Sequence, residues 1–589
     1  MLLAAVLAVL FASASIVLPP IYYHASLDWV LEDAYGWLTA ILQSIALAIP
    51  LFLLILVVLM HSGDFWRWSK KFDPIKRLSF SWNRRSVLII AGIIMVAWLP
   101  WIIIYYPGST PYDPVAQIFQ MQGSGAFRPE IWEPTIEGWI SNSHPILHTL
   151  ILGGFFELGN TLGSQNLGIF FYSIFQCLVR ALCFAVACCY LRRLGVPKLF
   201  SLLSLAFFAL FPAISTSSMV TFKDHLFSPI YVIYVLQIIE IVRTRGAVLK
   251  GKKFVLGFTA SSLLLPLFKH PGIYIVLLTS LCLLVVYRRY LKQLLISMAV
   301  PAFVIYLIFP YLLFPALQVV PAGSQDVFGP MLAQTARVIY EQPDAMNIEE
   351  REIIDRVVPY RIMATGYSTA STDFIKGHFR QSSSLGQRLD YLALWGRQGF
   401  MYPLDYFESY FTIQGAWFVP SRGWDVYDNL YPDTHQQVVD IVGHNNRLPF
   451  NNAQEVREQL YFDGPAELQG AKQFMRNAFL YLHKVPIIGV LFSHAFYTFY
   501  LPLIIAAALF LNKRRFLPIF FPVVLTLVVL LISPMDMSRY ALPMLEASPL
   551  ILGVAILAWM YPEKRAKSEE TAKIAVAEGA ADVIKDANE

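Results

Sequence analysis

Apolar residues in this chain fall in long unbroken blocks rather than in stripes. The blocks run at roughly 2–23, 37–60, 86–106, 167–191, 200–220, 226–242, 254–268, 271–287, 294–316, 485–511, 516–532 and 541–561. A hydrocarbon core about 30 Å thick takes about 20 apolar residues to cross, at about 1.5 Å of rise each. Helices on the surface of a soluble protein would show a narrower apolar face at a period of about 3.6 residues. The pattern therefore predicts an all-α polytopic membrane protein with about twelve spans.

The polar positions supply sidedness. Arg67, Lys70, Lys71, Lys76, Arg77, Arg84 and Arg85 fill one loop; Arg192, Arg193 and Lys198 mark the next on that side. Arg243 to Lys253, Arg288 to Lys292, Lys513 to Arg515 and Lys564 to Lys567 continue the series, while the intervening loops are neutral or acidic. Under the positive-inside rule these basic loops and the C-terminus lie in the cytoplasm. Residues 145–160 are apolar too, but counting them as a span would put Arg192 and Arg193 outside. They are short and carry His148 and Glu157, so they are expected as an interfacial helix on the outer surface. The first block lacks the basic start of a secretion signal and is expected as a retained span.

These boundaries divide the chain into 1–85 (two N-terminal spans and a basic loop), 86–316, 317–484 (extracytoplasmic), 485–562 (three spans) and a cytoplasmic tail, 563–589. The large exterior segment is expected to be mixed but mainly helical, with helices near 345–358, 452–461 and 466–482. Its middle is rich in aromatics, among them Trp395, Tyr406, Phe407, Trp417 and Trp424. They suit either a small core with a membrane-resting belt or a sugar- or lipid-contacting surface.

Composition agrees with a bilayer. Apolar residues make up 57% and charged residues 14%, against about 25% charged in soluble domains, and the mean hydropathy is +0.54. All five cysteines lie in apolar runs, which excludes a disulfide-stapled exterior domain. No Cys or His cluster has metal-ligand spacing, and no phosphate-binding Gly-rich loop, HExxH or GxSxG element occurs in context. Nothing points to nucleic acid.

Candidate chemistry sits at the outer ends of the spans. Asp113, in Tyr112-Asp113-Pro114, follows the third block and suits either a turn or a general base. Lys223-Asp224 and Lys269-His270 interrupt apolar stretches and suit either membrane-edge anchors or a site. Arg539, before Tyr540, could snorkel or grip a phosphate with two parallel hydrogen bonds. His144, before Pro145, is either a polar surface group or part of an acceptor site. Arg180, at mid-depth in the fourth block, requires a carboxylate or carbonyl partner and reads as a structural pair.

Taken in order, these features resemble the GT-C superfamily of membrane glycosyltransferases, which includes protein O-mannosyltransferases and aminoarabinose transferases. Asp113 matches the acidic residue of the first large exterior loop, and Asn142-Ser143-His144-Pro145 the segment leading a juxtamembrane helix. Phe211-Pro212 with Phe222-Lys223-Asp224 resembles the Pro…(Thr/Lys)-Asp element; Lys269 and Arg539-Tyr540 with Pro543 match two further positions. The resemblance covers roughly 86–320 and 485–561. The chain departs from the better-known members in having two extra N-terminal spans, no acidic neighbour beside Asp113, and one proline after His144.

The resemblance implies an inverting transfer of sugar from a polyprenyl-phosphate donor to a cell-envelope glycan, lipid or protein, on the outer face of a bacterial plasma membrane. Asp113 would be the base and Asp224 would orient the sugar or support it. Lys269, Arg539 and Lys223 would hold the phosphate, with His270, Tyr540 and His144 lining the substrate site. No cofactor is called for beyond the lipid-linked donor, and a divalent cation stays open. A lipid-linked oligosaccharide polymerase or ligase would instead depend on exterior residues such as Arg422 or His435, and a flippase on Arg180 and repeated halves.

Overall fold

The structure, a computed structural model, describes residues 1–72, 75–121, 140–424, 464–485 and 488–562. Within them the chain is almost wholly helical. The strands are a pair of two-residue segments, Ile140–Ser141 beside Val319–Val320 in parallel. Among the described residues, eight helices are long and apolar enough to cross a membrane: Leu2–His24, Ala34–Ser69, Arg84–Ile104, Gln165–Leu194, Asp224–Arg243, Arg288–Leu317, Arg514–Leu531 and Ser538–Met560.

The other expected blocks fold as shorter helices, each for a local reason. The 200–220 block divides into Lys198–Leu210 and Pro212–Ser217, with Phe211 extended between them; the ring of a proline disfavours the helical region for the residue before it. Lys252–Phe268 begins on two lysines and ends at Lys269, whose backbone is extended. Gly272–Val286 is bounded by Pro271 and Tyr287. Phe496–Asn512 follows a break in the helix at Phe492-Ser493. The expected helix at 145–160 is present as Ile146–Thr161.

Helix ends are encoded locally. Asp33 and Asn83 cap their helices by accepting from Gly36 N at 2.7 Å and Ser86 N at 2.9 Å. Gln165–Leu194 starts on Ser164 and stops at Gly195, whose left-handed backbone (φ 94°) suits glycine. Ile146–Thr161 packs tightly on Gln165–Leu194, with Gly159 and Gly168 so close that a Cβ on either would meet the other's backbone. Leu2–His24 packs on Ala34–Ser69, and its Phe11 ring lies 4.6 Å from that of Tyr500.

One ion pair joins the middle of the bundle. Arg180 Nη2 donates to Glu546 Oε1 at 2.7 Å, and neither side chain is exposed. The guanidinium also donates to His225 O at 3.1 Å and Ile214 O at 3.3 Å, while Ser228 donates to Glu546 Oε2 at 2.5 Å. Arg180 thus has both kinds of partner the sequence requires. At the far ends of the same helices, Glu240 takes Tyr190, Arg193 and Arg243.

The 317–484 segment has a core of its own, including Leu332, Ile339, Ile354, Val358, Met363 and Tyr391. Helices form at Ile348–Asp355 and Gln469–Lys484 as expected; the helix expected at 452–461, His435 and the tail 563–589 lie outside the described residues. Trp417 is fully buried and Trp395 donates to Gln334 Oε1 at 2.9 Å, so these aromatics serve the core, whereas Phe407 is exposed. Arg337 binds Glu408 at 2.5 Å, and Glu408 in turn accepts from Leu27 N at 2.6 Å, tying this domain to the end of the first helix.

Removing one partner of a fully buried ion pair strands the other charge, at a cost of about 3–5 kcal/mol. Arg180→Met should therefore lower the thermal unfolding midpoint of the purified protein sharply. Adding Glu546→Leu should recover part of that loss, since no unpaired charge then remains.

Candidate functional site

Four separate connections bring the candidate residues to one place. Beyond Arg84–Ile104 the chain turns through Gly108, which has φ 136° and where a Cβ would strike Ser173 Oγ. Ser109 then pairs with the 219–221 segment: its N donates to Met219 O at 2.7 Å and its O accepts from Thr221 N at 3.0 Å. That bridge sets Asp113, in the first turn of Tyr112–Met121, beside Lys223 and Asp224, which open the Asp224–Arg243 helix. Lys269 closes Lys252–Phe268, and Arg539 and Tyr540 open Ser538–Met560. His144 is held by the strand pair, because Asn142 N donates to Val320 O at 2.8 Å just before it.

The side chains meet in an unbroken series. Lys223 Nζ donates to His144 Nδ1 at 2.9 Å and to Asp113 Oδ2 at 3.1 Å. Arg539 Nη2 donates to the same Asp113 oxygen at 3.1 Å, and its Nε lies 3.5 Å from Asp224 Oδ2. Lys269 Nζ donates to Asp224 Oδ1 at 2.5 Å. Aromatic faces back the cations: Arg539 lies 3.8 Å from the Phe222 ring centre and Lys269 lies 4.3 Å from that of Tyr540. His270 stands at the edge, its Nε2 2.7 Å from Asn142 O. The residues matched by the glycosyltransferase resemblance therefore gather in this one region, whereas Arg180 pairs with Glu546 in the core, Arg422 pairs with Asp536, and His435 lies outside the described residues.

Three cations face two carboxylates, so the cluster carries one positive charge in excess, on side chains that are mostly buried. Burial alone would raise the pKa of Asp113, but Lys223 and Arg539 outweigh it and hold the carboxyl far below the usual range. Burial, reinforced by Lys223, pushes His144 down to about 3. Its Nδ1 is thus the lone-pair nitrogen that the Lys223 ammonium requires. Burial likewise lowers Lys269, with Asp224 pulling the other way, and lowers His270. Both contacts to Asp113 fall on Oδ2; its Oδ1 makes no hydrogen bond among the described residues, and the side chain keeps 19% of its surface. Asp224 Oδ2 and Arg539 Nε are also buried without a hydrogen bond there.

Among the described residues no three His, Cys, Asp or Glu side chains group as a metal site. Asp113 and Asp224 are each engaged by cations, so a divalent ion would have to displace Lys or Arg. The residues present do not fit one.

The sequence reading did not single out several neighbours. Asp536, on the same loop as Arg539, accepts from Tyr22 at 2.5 Å and from Arg422 Nε at 3.3 Å, which joins the first helix and the 317–484 segment to the site loop. Thr372 N donates to Pro534 O at 3.1 Å, so the 317–484 segment also rests on this loop. Beneath Asp113 lie Gln117, His148, Tyr172 and Gln176, all buried. Only an ionisable residue inside an apolar run gives a sequence signal, and of these neighbours His148 alone does.

A family described as a family of unknown function (DUF6020) matches residues 1–573, and the chain belongs to it. No curated protein and no solved structure matches the chain.

The histidine gives a pH test. His144 falls from an ordinary 6.5 to about 3 on folding, so between those values the unfolded chain binds a proton that the folded chain refuses. Its contribution is intact above the ordinary value and is lost as pH falls toward the folded one, at up to about 1.4 kcal/mol per pH unit. Between pH 7 and pH ~4.5, wild-type protein should lose more thermal stability than His144→Asn, measured by unfolding in detergent.

Proposed function

We propose that this member of a family of unknown function is a membrane glycosyltransferase. It moves a sugar from a polyprenyl-phosphate donor to a cell-envelope acceptor on the extracytoplasmic face, with inversion. The observation that carries this reading is the cluster itself: two carboxylates and three cations, supplied by four connections at one end of the helices, with Asp113 Oδ1 left open. Such a transfer needs cations to take the charge of an anionic leaving group and a carboxylate to take a proton, and both kinds of group are within one cluster.

In the reaction the acceptor hydroxyl attacks the anomeric carbon from the face opposite the phosphate. The new C–O bond forms as the bond from carbon to phosphate oxygen breaks, and the electron pair leaves with polyprenyl phosphate. The hydroxyl proton passes to Asp113 Oδ1. Lys223, Lys269 and Arg539 take the charge developing on the phosphate, in a setting where water is scarce and electrostatic contacts are strong. In the resting state the same cations hold Asp113 as a weak base. A phosphate that draws them away restores its basicity, so donor binding prepares the base. Asp224 steadies Lys269 and Arg539.

The architecture that goes with this function is a GT-C-like fold of about twelve spans, the shorter apolar helices crossing alongside the eight long ones. Ile146–Thr161 then lies along the outer surface, the basic loops and the C-terminus face the cytoplasm, and the chain sits in a bacterial plasma membrane. Arg180 is consumed by Glu546 in the core, an arrangement suited to structure rather than to a transport path.

Loss of a general base typically costs about 10²–10⁴-fold in rate. Asp113→Asn should reduce the product by at least about 10²-fold, while the purified variant still unfolds cooperatively. The measurement is mass spectrometry of envelope glycans and lipid-linked sugars from a deletion strain complemented with each form. Near-normal product from Asp113→Asn would overturn the assignment.

A further inference from the structure

We infer that Gln117, His148, Tyr172 and Gln176 form a buried hydrogen-bonded strut whose role is to set the distance between Asp113 and the Lys223-Asp224 pair. Resting on the glycosyltransferase reading, this assigns four positioning residues to the same site.

The strut begins on the helix of Asp113. Gln117 lies about one turn beyond Asp113, and its amide oxygen is 2.9 Å from His148 Nδ1, while its nitrogen meets Thr149 Oγ1 at 2.7 Å. Neutral His148 has one N–H, which the Gln117 oxygen requires at Nδ1, so its Nε2 accepts from the Tyr172 hydroxyl at 2.7 Å, and Gln176 Oε1 lies within reach of that same hydroxyl at 3.3 Å. Gln176 ends the series by donating from Nε2 to Val220 O at 2.9 Å, Ser218 O at 3.0 Å and Ser217 O at 3.4 Å. Those carbonyls belong to the turn that runs directly into Lys223 and Asp224.

The chemistry of the last link orients it. Three carbonyl oxygens converge on one amide group, and only an NH2 can face them, so Gln176 must turn its oxygen to Tyr172. All four side chains are at most 1% exposed. Left unpaired, each would keep the cost of its burial, so neither end can slide without breaking several bonds at once. An apolar contact at this place would fix volume but not separation, since apolar surfaces slide over one another. The strut works in parallel with the Ser109 bridge to Met219 and Thr221, which ties the same two segments through their backbones.

The role separates from general stability by what it leaves intact. Full-length wild type, Tyr172→Phe, Gln176→Leu, His148→Ala and His148→Gln are compared for binding of a short polyprenyl phosphate and for envelope-glycan product in the deletion strain. Binding needs the cations and should stay within about twofold in Tyr172→Phe, while product falls about tenfold or more. His148→Gln, whose amide reaches the Tyr172 hydroxyl, should recover most of the product lost in His148→Ala. Wild-type product from Tyr172→Phe and Gln176→Leu would overturn the strut. So would equal losses of binding and product in every variant, with no recovery in His148→Gln. If wild type neither binds polyprenyl phosphate nor yields a product missing from the deletion strain, the glycosyltransferase reading fails, and the strut's assignment fails with it.

Discussion

Arg180 and Glu546 meet at 2.7 Å with both side chains fully buried. Two ions taken out of water cost several kcal/mol each, and only close geometry with further hydrogen bonds offsets it. Here Ile214 O, His225 O and Ser228 supply those bonds, so the pair is satisfied only when three segments stand in one register. Asp224 lies one turn from Ser228, and Arg539 lies two turns from Glu546, along the same two helices. A slip of the Glu546 helix would break the pair, a slip of the Ser228 helix would remove its supporting bonds, and either would part Asp224 from Arg539. The core ion pair thus fixes, at a distance, which charged groups can meet at the end of the bundle.

The same cost explains the resting site. Charges at the edge of an apolar bundle must be compensated, and this chain compensates them internally, cation to carboxylate, rather than by exposing them. Compensation is incomplete by one charge. A site that paired every ion would gain little from an anion, and one of bare cations would be hard to fold. Among the described residues, an excess of one positive charge, with Asp224 Oδ2 and Arg539 Nε lacking hydrogen bonds, lies between these limits. Exchange of partners, rather than filling of an empty pocket, is what an arriving phosphate would bring about.

What could be read from the sequence followed the same physics. Asp113, Lys223, Asp224, Lys269 and Arg539 stand out because an ionisable residue beside hydrocarbon needs a reason, and all of them meet in one cluster. Arg180 could be assigned a kind of partner but not Glu546 itself, since pairing across 366 positions is set by how helices pack. Gln117, Tyr172 and Gln176 carry no charge and sit at ordinary helical positions, so only their mutual distances reveal them. The span pattern was legible for the long blocks. It blurred where Phe211-Pro212 or Phe492-Ser493 broke a block, because an apolar run records composition and not backbone continuity.

Two kinds of polar burial therefore divide the work in this bundle. The ionic pair in the middle tolerates no alternative arrangement and so secures register. The neutral strut beneath Asp113 sets a spacing without adding charge that would compete with the site. Had the strut been ionic, its field would have shifted Asp113 or Lys223 and altered the balance on which partner exchange depends. A neutral His148, pushed down to about 3 by burial and by Lys223, meets that requirement. Placing ions where register matters and amides where spacing matters is how one apolar scaffold can hold five charged groups close together and still leave Asp113 Oδ1 without a hydrogen bond among the described residues.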